Sequence, residues 1–352
     1  MIGILSPWPP SVAAGSGTTV SQNRLVDALG LAGAPAELVN SSQFATNPRE
    51  IAERKLANDQ LGAELERFEA VIGIDGEGWL WAAKARKRPY VAFCEAVLAN
   101  VVPFEPPASA AVLEVQARWE AESARAADLV VARSEYAADR VAFAYDVPRE
   151  RVAVLPVPFD VDAWCGALPL LPKEPIVLAV GHAYPRKNYQ ALLAAWPAVK
   201  ERHKKAVLAI VGTGPEAQQL RAQAKGVPGA RILGHVAYHD LLTLYARASV
   251  FCHPSLQENF GLAPLEGLAS GCSLVVHEQP ALMENLAGLP GVWALDASDP
   301  DLLAQALIVA LSTNSSWRDT RLNALRSKLN PLTVGQQLRT LVTSLTRSSA
   351  AR

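Results

Sequence analysis

The chain has 352 residues, half of them hydrophobic and 19% charged, and 33 basic against 34 acidic side chains leave a formal net charge of -1. That length exceeds what one core usually serves and predicts two domains, while the composition excludes a disordered chain and the near-neutral balance gives no reason to expect a nucleic-acid partner. Four scattered cysteines, Cys94, Cys165, Cys252 and Cys272, make no CxxC pair and no Cys/His cluster at metal-ligand spacing, which fits a reduced, cytoplasmic compartment.

The opening "MIGIL" has no basic flank and reads as a first strand, not as a leader. It runs into "PPSVAAGSGTTVSQNRLVDAL", where Gly15 and Gly17 permit close backbone approach and Thr19 with Gln22 fits a capping box for a helix over 20–29. This loop is neither a Walker loop nor a GxGxxG fingerprint. The runs "AELVN", "AVIGID", "YVAFCE", "LVVARS" and "VAVLPV" then read as strands between Ala/Leu-rich helices, one of them over 111–127. Asp75 and Glu77 in "GIDGEGW", Glu95 after "YVAFC" and Arg133 after "DLVVA" fall at predicted strand ends, where each reads most simply as a solvated loop residue or a cap.

The proline-rich "PVPFDVDAWCGALPLLPKEP" has no clean period of either kind and reads as a hinge. The expected division is therefore a domain over 1–157, a linker over 158–174, a second domain over 175–330, and a final helix and tail over 331–352, with the helix running to about Thr346 and "RSSAAR" frayed.

The second half repeats the alternation with "PIVLAVG", "KAVLAIVG", "ARILG", "VFCHPS", "CSLVVH" and "VWALD". Such alternation predicts an α/β fold with two wound parallel sheets, whose ligands sit beyond the carboxyl ends of the strands. After the strand of "IVLAVGHAYPRKNYQALLAAW" comes a loop with Arg186 and Lys187, a planar fork beside a point charge, which suits a departing diphosphate or is simply two solvated charges. "RHKK" over 202–205 reads as a solvated helix end, with contact to an anionic membrane surface as the lesser alternative. "GTG" over 212–214 is too little for a dinucleotide fingerprint.

"VFCHPSLQENFGLAPLEGLASG" joins a strand, a tight turn at Asn259 and Gly261, and a helix expected from about Leu262 to Gly271 with Pro264 in its first turn. The N–H groups around Phe260, Gly261 and Leu262 would form an anion site at that helix terminus. Glu258 before the helix and Glu266 on its first turn suit sugar hydroxyls; alternatively, the two acids only stabilise the helix dipole, by roughly 0.3 to 1 kcal/mol. His253 either lines the same site or is a satisfied structural histidine. No apolar run approaches the ~20 residues that span a bilayer, although peripheral attachment at the inner face of a membrane stays open.

Taken in order, "VGHAYPRKN", "LAIVGTGPEAQQL" and "ILGHVAYHDLLTLYARASVFCHPSLQENFGLAPLEGLASG" resemble the GT-B glycosyltransferases, and within them retaining family 4, the glycosyl transferases group 1. That family's signature is two glutamates separated by seven residues, matched by Glu258 and Glu266. The first half resembles it through the glycine loop and through "ADLVVARSEYAADRV" with "VPRERVAVLPVPFDVDAW". The resemblance implies two Rossmann-like domains facing a central cleft, with the C-terminal helix crossing back to the first. It implies transfer of a hexose-type sugar from a UDP- or GDP-linked donor to an acceptor hydroxyl with retention, in glycan or glycolipid synthesis, and no cofactor beyond the nucleoside diphosphate sugar. Arg186 and Lys187 would hold the diphosphate, Glu258 the sugar and Glu266 the ribose.

Phe260, Gly261, Leu262, Gly181, His182 and His253 would line the donor site, and the loop with Gly15 and Gly17 would face the donor phosphates or the acceptor. Acceptor contacts would fall to Asp75, Glu77, Glu95 or Arg133. His182 stands where many members have arginine, Asn259 where glycine is frequent, and "PVPFD" replaces Pro-Asn-Gly-Val-Asp. No metal-ligand cluster is visible in the sequence, so metal independence is the expectation. A nucleotide-sugar 2-epimerase and a non-catalytic sugar-nucleotide-binding subunit remain as alternatives.

Overall fold

The computed structural model describes residues 1–7, 17–40, 51–84, 86–313 and 317–350. All twelve expected strands form. The first six are β1 Ile2–Ser6, β2 Ala36–Asn40, β3 Ala70–Ile74, β4 Tyr90–Cys94, β5 Leu129–Ala132 and β6 Val152–Val154. The second six are β7 Glu174–Val180, β8 Val207–Val211, β9 Ala230–Gly234, β10 Ala248–His253, β11 Ser273–His277 and β12 Val292–Leu295. They pair in parallel into two six-stranded sheets, ordered β2-β1-β3-β4-β5-β6 and β12-β11-β10-β7-β8-β9.

The chain divides into two compact units, Met1–Phe159 with Leu329–Arg352, and Asp160–Lys328. In the first unit β1, β3 and β4 are buried at every position, as a parallel sheet covered on both faces requires. Side chains alternate between the two faces of β4: Tyr90, Ala92 and Cys94 join one core, Val91 and Phe93 the other. The second core includes Val334, Leu338 and Val342 of the C-terminal helix Pro331–Ala350. This helix lies along the helix Gly17–Leu31. The two approach so closely that a Cβ on Gly335 would stand 1.9 Å from the Ala28 carbonyl oxygen. The helix continues through Ala350, past the end expected near Thr346.

Two other local expectations differ. The first helix starts at Gly17, so Thr19 lies buried inside its first turn and does not stand ahead of it as a cap; Gln22 accepts a hydrogen bond from Ser6 at the end of β1. Gly15 lies outside the described residues. The proline-rich stretch holds a helix, Val161–Ala167, capped by Asp160, whose carboxylate accepts from the Ala163 N–H at 2.9 Å. Seven residues are too few to show a period, and the helix is fixed by packing: Trp164 meets Tyr245 edge-on at 5.2 Å, and its indole N–H donates to Ser270 at 3.0 Å.

Counted from β7, the second sheet runs 3-2-1-4-5-6, so the chain leaves β7 and β10 in opposite directions across the sheet. The carboxyl ends of these two neighbours therefore bound a crevice, the usual ligand position in such a sheet. Val177, Ala179, Leu208, Ile210, Val250 and Cys252 hold the strands on one core with Trp196.

Candidate active site

Both chemistry-bearing loops of the second unit leave the sheet at this crevice. After β7, Gly181 leads through His182 into a single 3-10 turn, Pro185–Lys187, and Asn188 in the left-handed region starts the helix Tyr189–Arg202. After β10, the turn ends at Gly261, with φ 85°, and the helix Leu262–Ala269 follows, close to its expected start. Glu266 is the fifth residue of that helix, so it opens the second turn and does not lie on the first.

The two loops are tied to each other. The Arg186 carbonyl accepts from the Leu256 N–H at 2.8 Å and from the Ser255 hydroxyl at 3.3 Å, and the Arg186 guanidinium donates to the Gln257 carbonyl at 3.4 Å. The expected cations and the first expected acid thereby meet. Lys187 forms an ion pair with Glu258 Oε1, Arg186 lies 3.7 Å from the same oxygen, and His253 Nε2 lies 3.0 Å from it. Gln279 accepts from the Glu258 backbone N–H at 2.9 Å and donates to the Ser255 carbonyl at 3.2 Å, clamping the turn. Glu266 accepts from the buried Tyr245 hydroxyl at 3.1 Å.

The electrostatics are set by this convergence. Burial acts to raise the Glu258 carboxyl, but the Lys187 charge, the His253 hydrogen bond and the Arg186 charge together hold it well below the carboxylate range. Burial lowers both Lys187 and His253 against the opposing pull of Glu258. His253 is thus a neutral imidazole at physiological pH, and it donates from Nε2.

The "GTG" segment serves this site by packing. Ala183 N–H donates to the Thr213 carbonyl at 2.8 Å, His182 Nδ1 is 3.2 Å from the same oxygen, and a Cβ on Gly212, whose φ is 140°, would stand 2.0 Å from the Gly181 carbonyl oxygen. Because the obstacle is backbone, Gly212→Ala is expected to cost about 1 to 3 kcal/mol through strain, read as a lowered melting temperature of the second unit. An unchanged melting temperature would show that the β7 loop tolerates displacement.

Two family descriptions match the chain: Glycosyl transferases group 1 over residues 174–313 and Glycosyl transferase 4-like domain over 12–158. Together the two matches span most of the chain, which belongs to the glycosyltransferases they describe. This glycosyltransferase is 29% identical over 214 residues to the O-antigen chain mannosyltransferase B of Escherichia coli, an alignment covering 56% of this chain and 55% of that protein. The chain spans about half or less of the length of the curated relatives it matches. Its GT-B fold is that of sucrose-phosphate synthase from Thermosynechococcus elongatus, with a TM-score of 0.75 at 18% identity and 99% of each chain covered. It is also that of the Anabaena HepE protein in complex with UDP-glucose, with a TM-score of 0.71 at 16% identity, covering 97% of this chain and 99% of that one.

In the first unit of this glycosyltransferase, none of the four strand-end residues is a solvated loop charge. Arg133 pairs with Glu95, donates to Ser21 at 2.6 Å and to the Pro156 carbonyl at 3.2 Å, and lies over Phe93 at 4.2 Å. Glu77 is fully buried, paired with Arg54 and accepting from Asn58 at 2.9 Å. Asp75, with φ 49°, accepts from the Glu95 N–H at 2.9 Å; burial, then the charges of Glu120 and Glu95, raise its carboxyl well above the usual range. Strand ends under covering helices are interior positions, which a reading of local sequence assigns to the surface. The sequence also gave no signal for Arg54, which sits in the polar run "IAERKLANDQ", nor for Tyr245 and Gln279, whose roles exist only across elements. Among the described residues no helix is long and apolar enough to cross a membrane.

Proposed function

We propose that the protein transfers a hexose-type sugar from a UDP- or GDP-linked donor to an acceptor hydroxyl with retained anomeric configuration. The observation that carries this reading is the convergence of Lys187, Arg186 and His253 on Glu258, ahead of a helix N-terminus, at the switch point between β7 and β10. A glycoside hydrolase needs one carboxylic acid to protonate its leaving group and a second carboxylate at the anomeric centre. Here the acid is held ionised and surrounded by cations, which suits a leaving group that departs as an anion.

In this reading the donor diphosphate lies at the N–H groups opening the helix Leu262–Ala269, where the dipole favours negative charge. An ammonium has three N–H donors. Lys187 directs one to Glu258, and the other two serve phosphate oxygens. Glu258 accepts from the donor sugar and Glu266, steadied by Tyr245, from the ribose. The bond from the anomeric carbon to the diphosphate breaks as the acceptor oxygen attacks from the same face, and a phosphate oxygen takes the acceptor proton. Oriented charges of this kind act on the charge that develops in the transition state. The mannosyltransferase relatives, one of them by name GDP-mannose-dependent, and the UDP-glucose complex of HepE support GDP-mannose and UDP-glucose as the first donors to try.

A thermal-shift panel of UDP-glucose, GDP-mannose and ADP-glucose tests the reading, since a ligand that binds only the native state raises its stability; NMR of the product anomer then reads the stereochemistry. No shift with any donor would sink the proposal, and an altered sugar nucleotide formed without acceptor would favour an epimerase. Lys187→Ala is expected to weaken donor binding by about ten- to a hundredfold, as for loss of one charge-assisted contact, measured by titration calorimetry. Unchanged affinity would remove Lys187 from the diphosphate site.

A further inference from the structure

The contacts of Glu258 are all on one of its two oxygens. Oε1 receives Lys187 Nζ from the loop after β7 and His253 Nε2 from the last residue of β10, with Arg186 at 3.7 Å beyond hydrogen-bond range. Two donors fill the two lone pairs of that oxygen. Oε2 has no hydrogen-bond partner among the described residues, and it is not sealed off, since Glu258 keeps 14% of its side-chain surface exposed. His253 is 3% exposed, and its ring lies 6.4 Å from that of Phe251, near-parallel to it. The histidine is therefore fixed by the sheet, whereas Lys187 reaches the carboxylate along a flexible stem. A carboxylate held through one oxygen by two elements cannot rotate about its last bond without breaking both contacts.

We propose that His253 is a positioning residue: by donating from Nε2 to Oε1 it locks the Glu258 carboxylate, so that Oε2 alone accepts one hydroxyl of the donor sugar. This rests on the functional reading above. It makes Glu258 a single-point reader of one hydroxyl, not a bidentate clamp, and it assigns donor-sugar selectivity to a residue that need not touch the sugar.

The test uses the full chain with His253→Asn and His253→Gln. Glutamine can place its amide N–H where Nε2 stands, and asparagine falls short of it, while both are neutral and similarly polar. Affinities for UDP-glucose and GDP-mannose are each measured against the free nucleoside diphosphate. The ratio of nucleotide to sugar-nucleotide dissociation constants is expected to fall about tenfold in His253→Asn and to stay within about twofold of wild type in His253→Gln, the size of one hydrogen bond to a charged group. An unchanged ratio in His253→Asn, or equal loss in both variants, overturns the inference.

A second arm needs no ligand. In 15N NMR of the free protein, His253 is expected as the neutral Nε2–H tautomer, with a signal that shifts in Glu258→Ala; an Nδ1–H tautomer overturns the inference regardless of binding. Failure of the wild-type protein to bind any of the nucleotides would instead overturn the functional reading, and the sugar-hydroxyl role with it, which separates that failure from the others.

Discussion

Glu258→Gln is expected to lower sugar transfer by about a hundredfold or more while leaving the fold intact, the loss typical of removing one oriented group that acts on transition-state charge. Glutamine keeps the shape and can still accept at Oε1 from Lys187 and His253, so the variant tests charge and not packing. What it removes is the negative charge that three cationic or donor groups are arranged to hold, together with the acceptor at Oε2, where an amide NH2 can only donate. Single-turnover transfer with whichever donor shifts the melting curve reads the effect, and near-wild-type turnover would sink the assignment of Glu258.

The pH dependence follows from the same neighbours. The folded Glu258 carboxyl lies below its ordinary 4.5, so its stabilising charge is fully present above that value and is lost only as pH falls through the lower, folded one. An acid limb of activity near pH 6 would therefore have another source. Burial lowers Lys187 from its ordinary 10.5, so its charge is lost earlier on the alkaline side, and donor binding is expected to weaken there first.

Arg54→Ala is expected to destabilise the first unit by about 3 to 5 kcal/mol, the range for removing one partner of a buried ion pair. Glu77 has no exposed surface, and Asn58 alone would remain to hold a carboxylate that now pairs with Arg54. Arg54 also donates to the Asp75 carbonyl at 2.7 Å, so the turn after β3 would lose its brace. Trp79 and Trp119 stack at 4.4 Å in this unit, and their coupled near-UV circular dichroism follows its unfolding in urea separately from the second unit. A midpoint unchanged within error would mean that Arg54 contributes nothing to holding the buried Glu77.

Much of this protein was legible in its sequence. Twelve short apolar runs became twelve strands, because a parallel sheet buried on both faces writes itself as near-continuous apolar residues over a length too short for a helix. Gly261, Leu262 and Glu258 were placed by local rules alone, since a left-handed turn residue and a helix start depend on neighbours in the chain. Where local rules failed, the cause was burial by distant elements. The helix Val161–Ala167 is held where Trp164 finds Tyr245, and the last helix is held where Val334, Leu338 and Val342 join the core that contains Val91 and Phe93 of β4.

The sequence by itself determined the two wound sheets, the turn that opens the helix Leu262–Ala269, and the residue types brought to its start. It could not determine that Lys187 and His253 would meet on a single oxygen of Glu258, or that Arg133, Glu95, Asp75 and Glu77 would be interior groups with partners. Hydrophobic period and turn chemistry act between residues a few positions apart and are written along the chain. The strand order that sets β7 beside β10, and the desolvation that decides which charges must pair, arise between residues some seventy positions apart, and only the folded chain specifies them.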